Sequence, residues 1–281
     1  MILLLGIFSY APMYGVVIAF QDFSVKKGVM ASPWVGLKHF ELFFSSPYFS
    51  RILGNTLSIS IKSLLFGFWP PILLALLLNE VRAEWFKRTI QTLSYLPHFV
   101  ATVVVVSFIK LFTGPSGVIP MMAQSLFGIQ LGDLMGNAKY FQAIVVISGI
   151  WQGIGFSSII YIAAISGVDP QLYEAAVIDG AGRFRQAVHV TLPAILPTIS
   201  ILLILAVGGI MNVGSEKILL MYSPLTYETG DVISTYVYRS GLEEGKFSFS
   251  TAVGLFNTIV NLILLTGANW ITRRLSEYSL W

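Results

Sequence analysis

Six runs of apolar residues, each about as long as a bilayer is thick, restrict what this chain can fold into. A hydrocarbon core of about 30 Å takes roughly 20 residues of helix. Runs of that order lie at 2–20, 52–78, 93–112, 140–165, 193–213 and 251–271. Inside hydrocarbon the backbone must satisfy its own hydrogen bonds, which a single helix does within itself. The expected fold is therefore an all-α, polytopic membrane protein with six transmembrane helices, one domain over residues 1–281. Composition agrees: 55% of residues are hydrophobic and 11% charged, with a mean hydropathy of +0.77, which excludes an ordinary soluble domain.

The formal charge of +3 does not point to nucleic acid, because Lys and Arg are scattered between apolar runs and form no stripe that could follow phosphates. No Cys is present, so disulfides, thiolate metal sites and Cys nucleophiles are excluded. The opening MILLLGIFSY has no basic n-region or A-x-A-like cleavage site, and reads as a first span and not a signal peptide. Pro12 should kink that span, and Pro70 and Pro71 should bend the second. The fourth run carries GIWQGIGFSS, whose small residues allow close helix contact. Pro193 is placed to open the fifth span.

Basic residues set an orientation. Arg82, Lys87 and Arg88 after the second span, Arg183 and Arg185 after the fourth, and Arg273 and Arg274 after the last sit close to span ends. That side is expected to be cytoplasmic, with both termini inside, and the loop 214–250 extracytoplasmic.

Between spans four and five lies a polar island, LYEAAVIDGAGRFRQAVHVTLP, from Leu172 to Pro193. Asp169 reads as an N-cap, Pro170 as a first-turn residue, and Gly180 as a left-handed helix end. A second short helix from Gly182 to about His189 should follow, closing a cytoplasmic helical hairpin over 169–191. Helical spacing puts Leu172, Ala175, Ala176 and Asp179 on one face and Glu174 off it. Spacing alone leaves two readings open: a lever pinned to two spans, or an amphipathic loop resting on lipid headgroups.

The motif E-A-A-x-x-D-G-A at Glu174 to Ala181, with Val190 and Leu192-Pro193 following, resembles the EAA signature of permease subunits in binding-protein-dependent ABC importers. Val190 stands where the family usually has Ile. VGLKHF (35–40), ALLLNEVR (75–82), FKRTIQTLSYLPHF (86–99), TGDVISTYVYRSGL (229–242) and the final YSLW are similar to polysaccharide-importing permeases of the LplB type. The resemblance implies the MetI-like permease fold of type I importers. It implies no enzyme activity in this chain, a second homologous permease, two ATPase subunits that use ATP-Mg, a solute-binding protein and an oligosaccharide cargo. Leu172, Tyr173, Glu174, Ala175, Ala176, Asp179, Gly180 and Arg183 would then meet the ATPase. The chain has no G-x-x-x-x-G-K-[ST] loop of its own. The location implied is a bacterial inner membrane.

Trp151, Gln152, Phe156, Ser157 and Asn212 combine rings with hydrogen-bonding groups at positions where related permeases bind sugar, although helix packing would use the same residue types. Lys62 lies within a span, where a charge costs about 2.5–3.5 kcal/mol on insertion scales, and Lys110 near the end of one. If either faces the path, an acidic sugar such as an alginate or pectin fragment becomes a fitting cargo; snorkelling to the interface is the competing explanation. Tyr222, Tyr227, Tyr236 and Arg239 fall in the region that contacts the binding protein in the resembled family. His39, His98 and His189 are too scattered for a metal site or a catalytic base, and no nucleophile motif is present. The competing classes are an ion-coupled secondary transporter and a non-transporting sensory or assembly subunit. The first would need membrane-embedded acids, and none of the six runs contains Asp or Glu.

Overall fold

In a computed structural model, residues 2–275 are described, with side chains from Leu3 to Arg274; the YSLW end lies outside the described residues. Nearly everything described is helical, and an isolated antiparallel bridge joins Gln21 to Trp34. Five helices are long and apolar enough to cross a membrane, and a bent pair makes a sixth.

The first span, Leu3–Phe20, changes pitch along its length. A π-helical turn at Gly6–Tyr10 precedes Pro12, and a 3₁₀ stretch runs from Tyr14 to Phe20. Proline lacks an N–H and crowds the carbonyl four residues back, and the wider turn accommodates it. The second span joins Phe49–Gly67 to Trp69–Glu80, with Pro70 and Pro71 in the first turn of the second half, where a missing N–H costs least. The fourth and sixth are long helices, Ala138–Ser166 and Phe247–Leu275.

Two boundaries differ from the sequence reading. The stretch 93–112 is not one helix: a helix Glu84–Tyr95 ends in a 3₁₀ turn, Leu96–Phe99, and a new helix begins at Thr102. Pro97 stops the first helix and Val100 is extended, so the third span runs Thr102–Phe127, using residues that looked like a loop. Pro193 does not open the fifth span either. Helix continues from Arg183 to Ala194, with a π turn at Ala187–Thr191 just before the proline, and bends by 61° into Leu196–Gly208.

The second span is the hub. Its Ile59 packs with Val105, Phe141 and Val145; its Ile72 and Ala75 pack with Tyr161, Ile165 and Ile199; and its Ile52 packs with Phe43, Met211 and Val253. Gly155 in the fourth span lies against Ser94, so close that a Cβ there would overlap the Ser94 carbonyl. The small residues of that span thus set a backbone approach, as expected.

Residues 214–250 do not form a solvated loop. They fold into short helices whose Ile218, Met221, Val232 and Ile233 are buried. A polar knot ties them to the second span. Asp231 is fully buried, and Arg239 donates to it from Nη2 (2.8 Å to Oδ2) and Nη1 (3.3 Å to Oδ1). Thr235 donates to Oδ1 at 3.0 Å, and Arg51 of the second span stands 3.7 Å from Oδ2. Asn55 donates to the carbonyls of Glu228 (2.9 Å) and Asp231 (3.0 Å), while Thr56 accepts from the Ile233 N–H at 3.0 Å. Removing one partner of a buried pair leaves an uncompensated charge and typically costs about 3–5 kcal/mol. Arg239→Ala should therefore lower the melting temperature of the detergent-solubilised protein sharply, with a smaller loss in Arg239→Ala/Asp231→Asn; an unchanged melt in the single variant would contradict this role.

Candidate functional site

The hairpin between spans four and five is built from local rules. The Asp169 carboxylate accepts from the Gln171 N–H at 2.9 Å, capping the helix Pro170–Ile178. At its far end Gly180 is left-handed, with φ of +74°. The Ala181 N–H reaches the Ala176 carbonyl (2.8 Å) and the Gly180 N–H the Val177 carbonyl (3.0 Å), the two bonds of a Schellman end. The chain then turns straight into the helix that continues to Ala194.

Two contacts brace the hairpin internally and a third fixes it to the bundle. Tyr173 hydroxyl meets Thr191 Oγ1 at 2.9 Å, Gln186 Nε2 donates to the Ala181 carbonyl at 2.8 Å, and Arg183 Nη1 lies 3.6 Å from Glu80 Oε2 at the end of the second span. Arg183 thus reaches back to Glu80, its Nη1 also donating to the Glu80 carbonyl at 3.3 Å, while staying exposed. Leu172, Glu174, Ala175, Asp179 and Gly180 are exposed, and Ala176 is half-buried. Ile178 and Phe184, which the sequence reading did not single out, are 85% and 82% exposed. Together with Leu172 and Val177 they give the hairpin an apolar outer face on which nothing packs among the described residues.

The residues assigned to the sugar path do not form one group. Trp151 lines an apolar groove with Phe108, Phe112 and Ile147. Phe156 stacks on His98 at 3.9 Å, nearly parallel, beside the exposed Ser157 and the half-buried Gln152. Asn212 stands apart, its Oδ1 accepting from Asn257 and Asn261 of the sixth span, each at 3.2 Å. Lys62 is exposed and donates to Gln142 Oε1 at 2.6 Å, an acceptor shared with Ser58. Gln142 had no signal in the sequence, because the contact joins residues 80 apart. Lys110 lines a small cleft with Asp133 and Tyr222.

The four residues assigned to the binding protein do come together, but facing inward. Tyr222 and Tyr227 rings lie 4.9 Å apart, and the Arg239 guanidinium sits over Tyr227 (4.8 Å) and Tyr236 (5.6 Å). Arg239 belongs to the Asp231 knot, its guanidinium reaching the carboxylate eight residues before it. Leu225 and Leu242 are the most exposed apolar residues described in this region.

The sequence profile of binding-protein-dependent transport system inner membrane components matches residues 64–277. The chain belongs to this family. It is 46% identical over 276 residues to protein LplB of Bacillus subtilis (strain 168), covering 98% of this chain and 86% of that one. It shares the same identity and coverage with the polygalacturonan/rhamnogalacturonan transport system permease YteP of that organism. Its fold superposes with a TM-score of 0.90 and 42% identity on a chain of a crystal structure of a bacterial ABC transporter involved in import of the acidic polysaccharide alginate, covering 98% of this chain and 93% of that chain. The fold is thus that of a type I ABC importer permease, and the chain is the multi-pass membrane subunit of such a system and not its enzyme.

One charged residue escaped the sequence reading. Lys217 is half-buried, its Nζ has no hydrogen-bond partner among the described residues, and burial pushes its pKa down to about 8 from 10.5. Between those values the unfolded chain binds the extra proton, so stability should rise with pH across that window. At pH 7 the buried ammonium is charged and opposes folding. Lys217→Met should accordingly raise the melting temperature at pH 7 and do so less at pH 10; an equal or opposite effect at the two pH values would contradict the buried, unpaired cation.

Proposed function

We propose that this chain, with a second permease and two ATPase subunits that use ATP-Mg, carries an oligosaccharide inward across a bacterial inner membrane. A solute-binding protein delivers the cargo at the face formed by residues 214–250. The basic span ends at Arg82, Lys87, Arg88, Arg183 and Arg185 support a cytoplasmic side for the hairpin and both termini. The observation that carries this reading is the hairpin's exposed face: Ile178 and Phe184 stand uncovered beside Glu174 on an element tied to the fourth and fifth spans and, through Arg183, to the second. A surface of that kind fits a groove on an ATPase subunit, with Leu172, Tyr173, Glu174, Ala175, Ala176, Asp179 and Gly180 forming the contact and its backing. Arg183 serves as the staple.

An acidic cargo suits the outer half. Lys62 donates to a single neutral acceptor, which leaves its charge unmatched and free to meet a carboxylate. The relatives named for alginate and for polygalacturonan/rhamnogalacturonan support the same class. Trp151, Gln152, Phe156, Ser157 and Asn212 are offered as further contacts, and Tyr222, Tyr227 and Tyr236 as the packed base beneath a binding-protein surface that exposes Leu225 and Leu242.

A left-handed position costs a branched residue about 1–2 kcal/mol, on the order of a tenfold loss in the folded hairpin. In the reconstituted transporter, Glu174→Lys and Gly180→Val should cut ATP-driven uptake about tenfold or more, with the protein still inserted in the membrane and the ATPase subunits still hydrolysing ATP. Wild-type uptake in both variants would remove the hairpin from the mechanism.

A further inference from the structure

The helix Glu84–Tyr95 is turned inside out. A helix on a bundle normally carries its apolar stripe toward the core. Here the half-buried side, which includes Gln91 and Ser94, faces the fourth span, where Ser94 lies against Gly155. The apolar side faces away: Trp85 is 72% exposed, Phe86 42%, Leu93 63%, and Leu96, in the turn that follows, 59%. At the foot of this stripe stand Arg82 and Arg88, both exposed, with Lys87 beside them. None of the three cations makes an ion pair among the described residues, and the helix holds one acid, Glu84.

Depth separates the two parts. The helix begins just after Glu80, the end of the second span, which Arg183 of the hairpin touches. Gly155 lies about 17 Å from Ser166, the hairpin end of the fourth span, and Trp85 lies about 13 Å back from Ser94 toward that same end. Trp85 and the cations therefore stand at the hairpin's level, at the membrane boundary. Leu93 and Leu96 lie about 12 Å or more deeper, inside a hydrocarbon core about 30 Å thick. A soluble subunit beneath the membrane would cover the cations and never reach Leu93. A neighbouring apolar span would cover Leu93 and leave the cations unmatched. A molecule with an anionic head and hydrocarbon tails matches both.

We propose that this face binds an anionic phospholipid of the hairpin-side leaflet, its phosphate held by Arg82 and Arg88 and its chains lying along Trp85, Phe86, Leu93 and Leu96. Guanidinium forks match phosphate oxygens, and Trp belongs at the headgroup boundary. Each cation near an anionic surface adds to the attraction. The site is independent of the cargo.

Native mass spectrometry of the assembled transporter tests this, with phosphatidylglycerol and phosphatidylcholine offered in equal amounts. The wild type should retain phosphatidylglycerol in preference. Arg82→Gln/Arg88→Gln should lose one bound phosphatidylglycerol per copy of this chain, its retention falling about tenfold or more with phosphatidylcholine unaffected. Lys26→Gln/Lys27→Gln, which removes as much charge from another loop, should leave retention unchanged. Glycerol phosphate, the head without the tails, should displace nothing. Equal retention of the two lipids by the wild type would overturn the site, as would unchanged retention in the arginine variant or displacement by glycerol phosphate. Loss of the ATPase subunits from the arginine variant, with the lipid still bound, would assign the patch to that partner instead.

Discussion

The need to satisfy every backbone group without water governs this structure. A continuous helix meets it at no cost, so each place where a helix breaks within the bundle must be supplied with partners. At Ile195 the bend is sealed by burial: Ile195 is 1% exposed and packs with Ile72, Tyr161 and Ile199. Beyond Gly208 the freed Met211 N–H is taken by Asn261 Oδ1 at 3.1 Å. At Pro97 the chain turns beneath the His98–Phe156 stack. The breaks are thus the positions where side chains from distant parts of the sequence had to be recruited.

The same breaks divide the molecule into a stiff outer part and a lever. The Asp231 knot ties the short helices of 214–250 to Arg51, Asn55 and Thr56 of the second span, so the outer part moves with that span. At the other end the hairpin has no hinge of its own before the fifth span, because helix runs unbroken from Arg183 to Ala194. The 61° bend at Ile195 is where a push on the hairpin would change the angle of the fifth span. Asn212 lies past the far end of that span and accepts from Asn257 and Asn261 of the sixth.

What was legible in the sequence was local. The Asp169 cap, the left-handed Gly180 and the close approach allowed by small residues near Gly155 each depend on residues within a turn or on the size of one side chain, and each is found in the structure. Hydropathy pointed to six segments, but it misplaced both ends of the third and the start of the fifth, because a sum over apolar residues ignores where Pro97 stops a helix and where a π turn lets Pro193 sit inside one. Pairings across long separations were invisible. Arg239 gave no sign of its bond to the buried Asp231, nor Lys62 of its bond to Gln142. The apolar residues Ile178 and Phe184 gave no signal apart from their surroundings, since only the folded hairpin shows that nothing covers them.

The most direct measurement is sugar uptake into vesicles holding the full assembly and loaded binding protein, with ATP and ion gradients controlled separately. An ATP-driven importer should take up the oligosaccharide with all ion gradients collapsed and stop when ATP is withheld. Uptake that persists without ATP and disappears when the gradients are collapsed would contradict it.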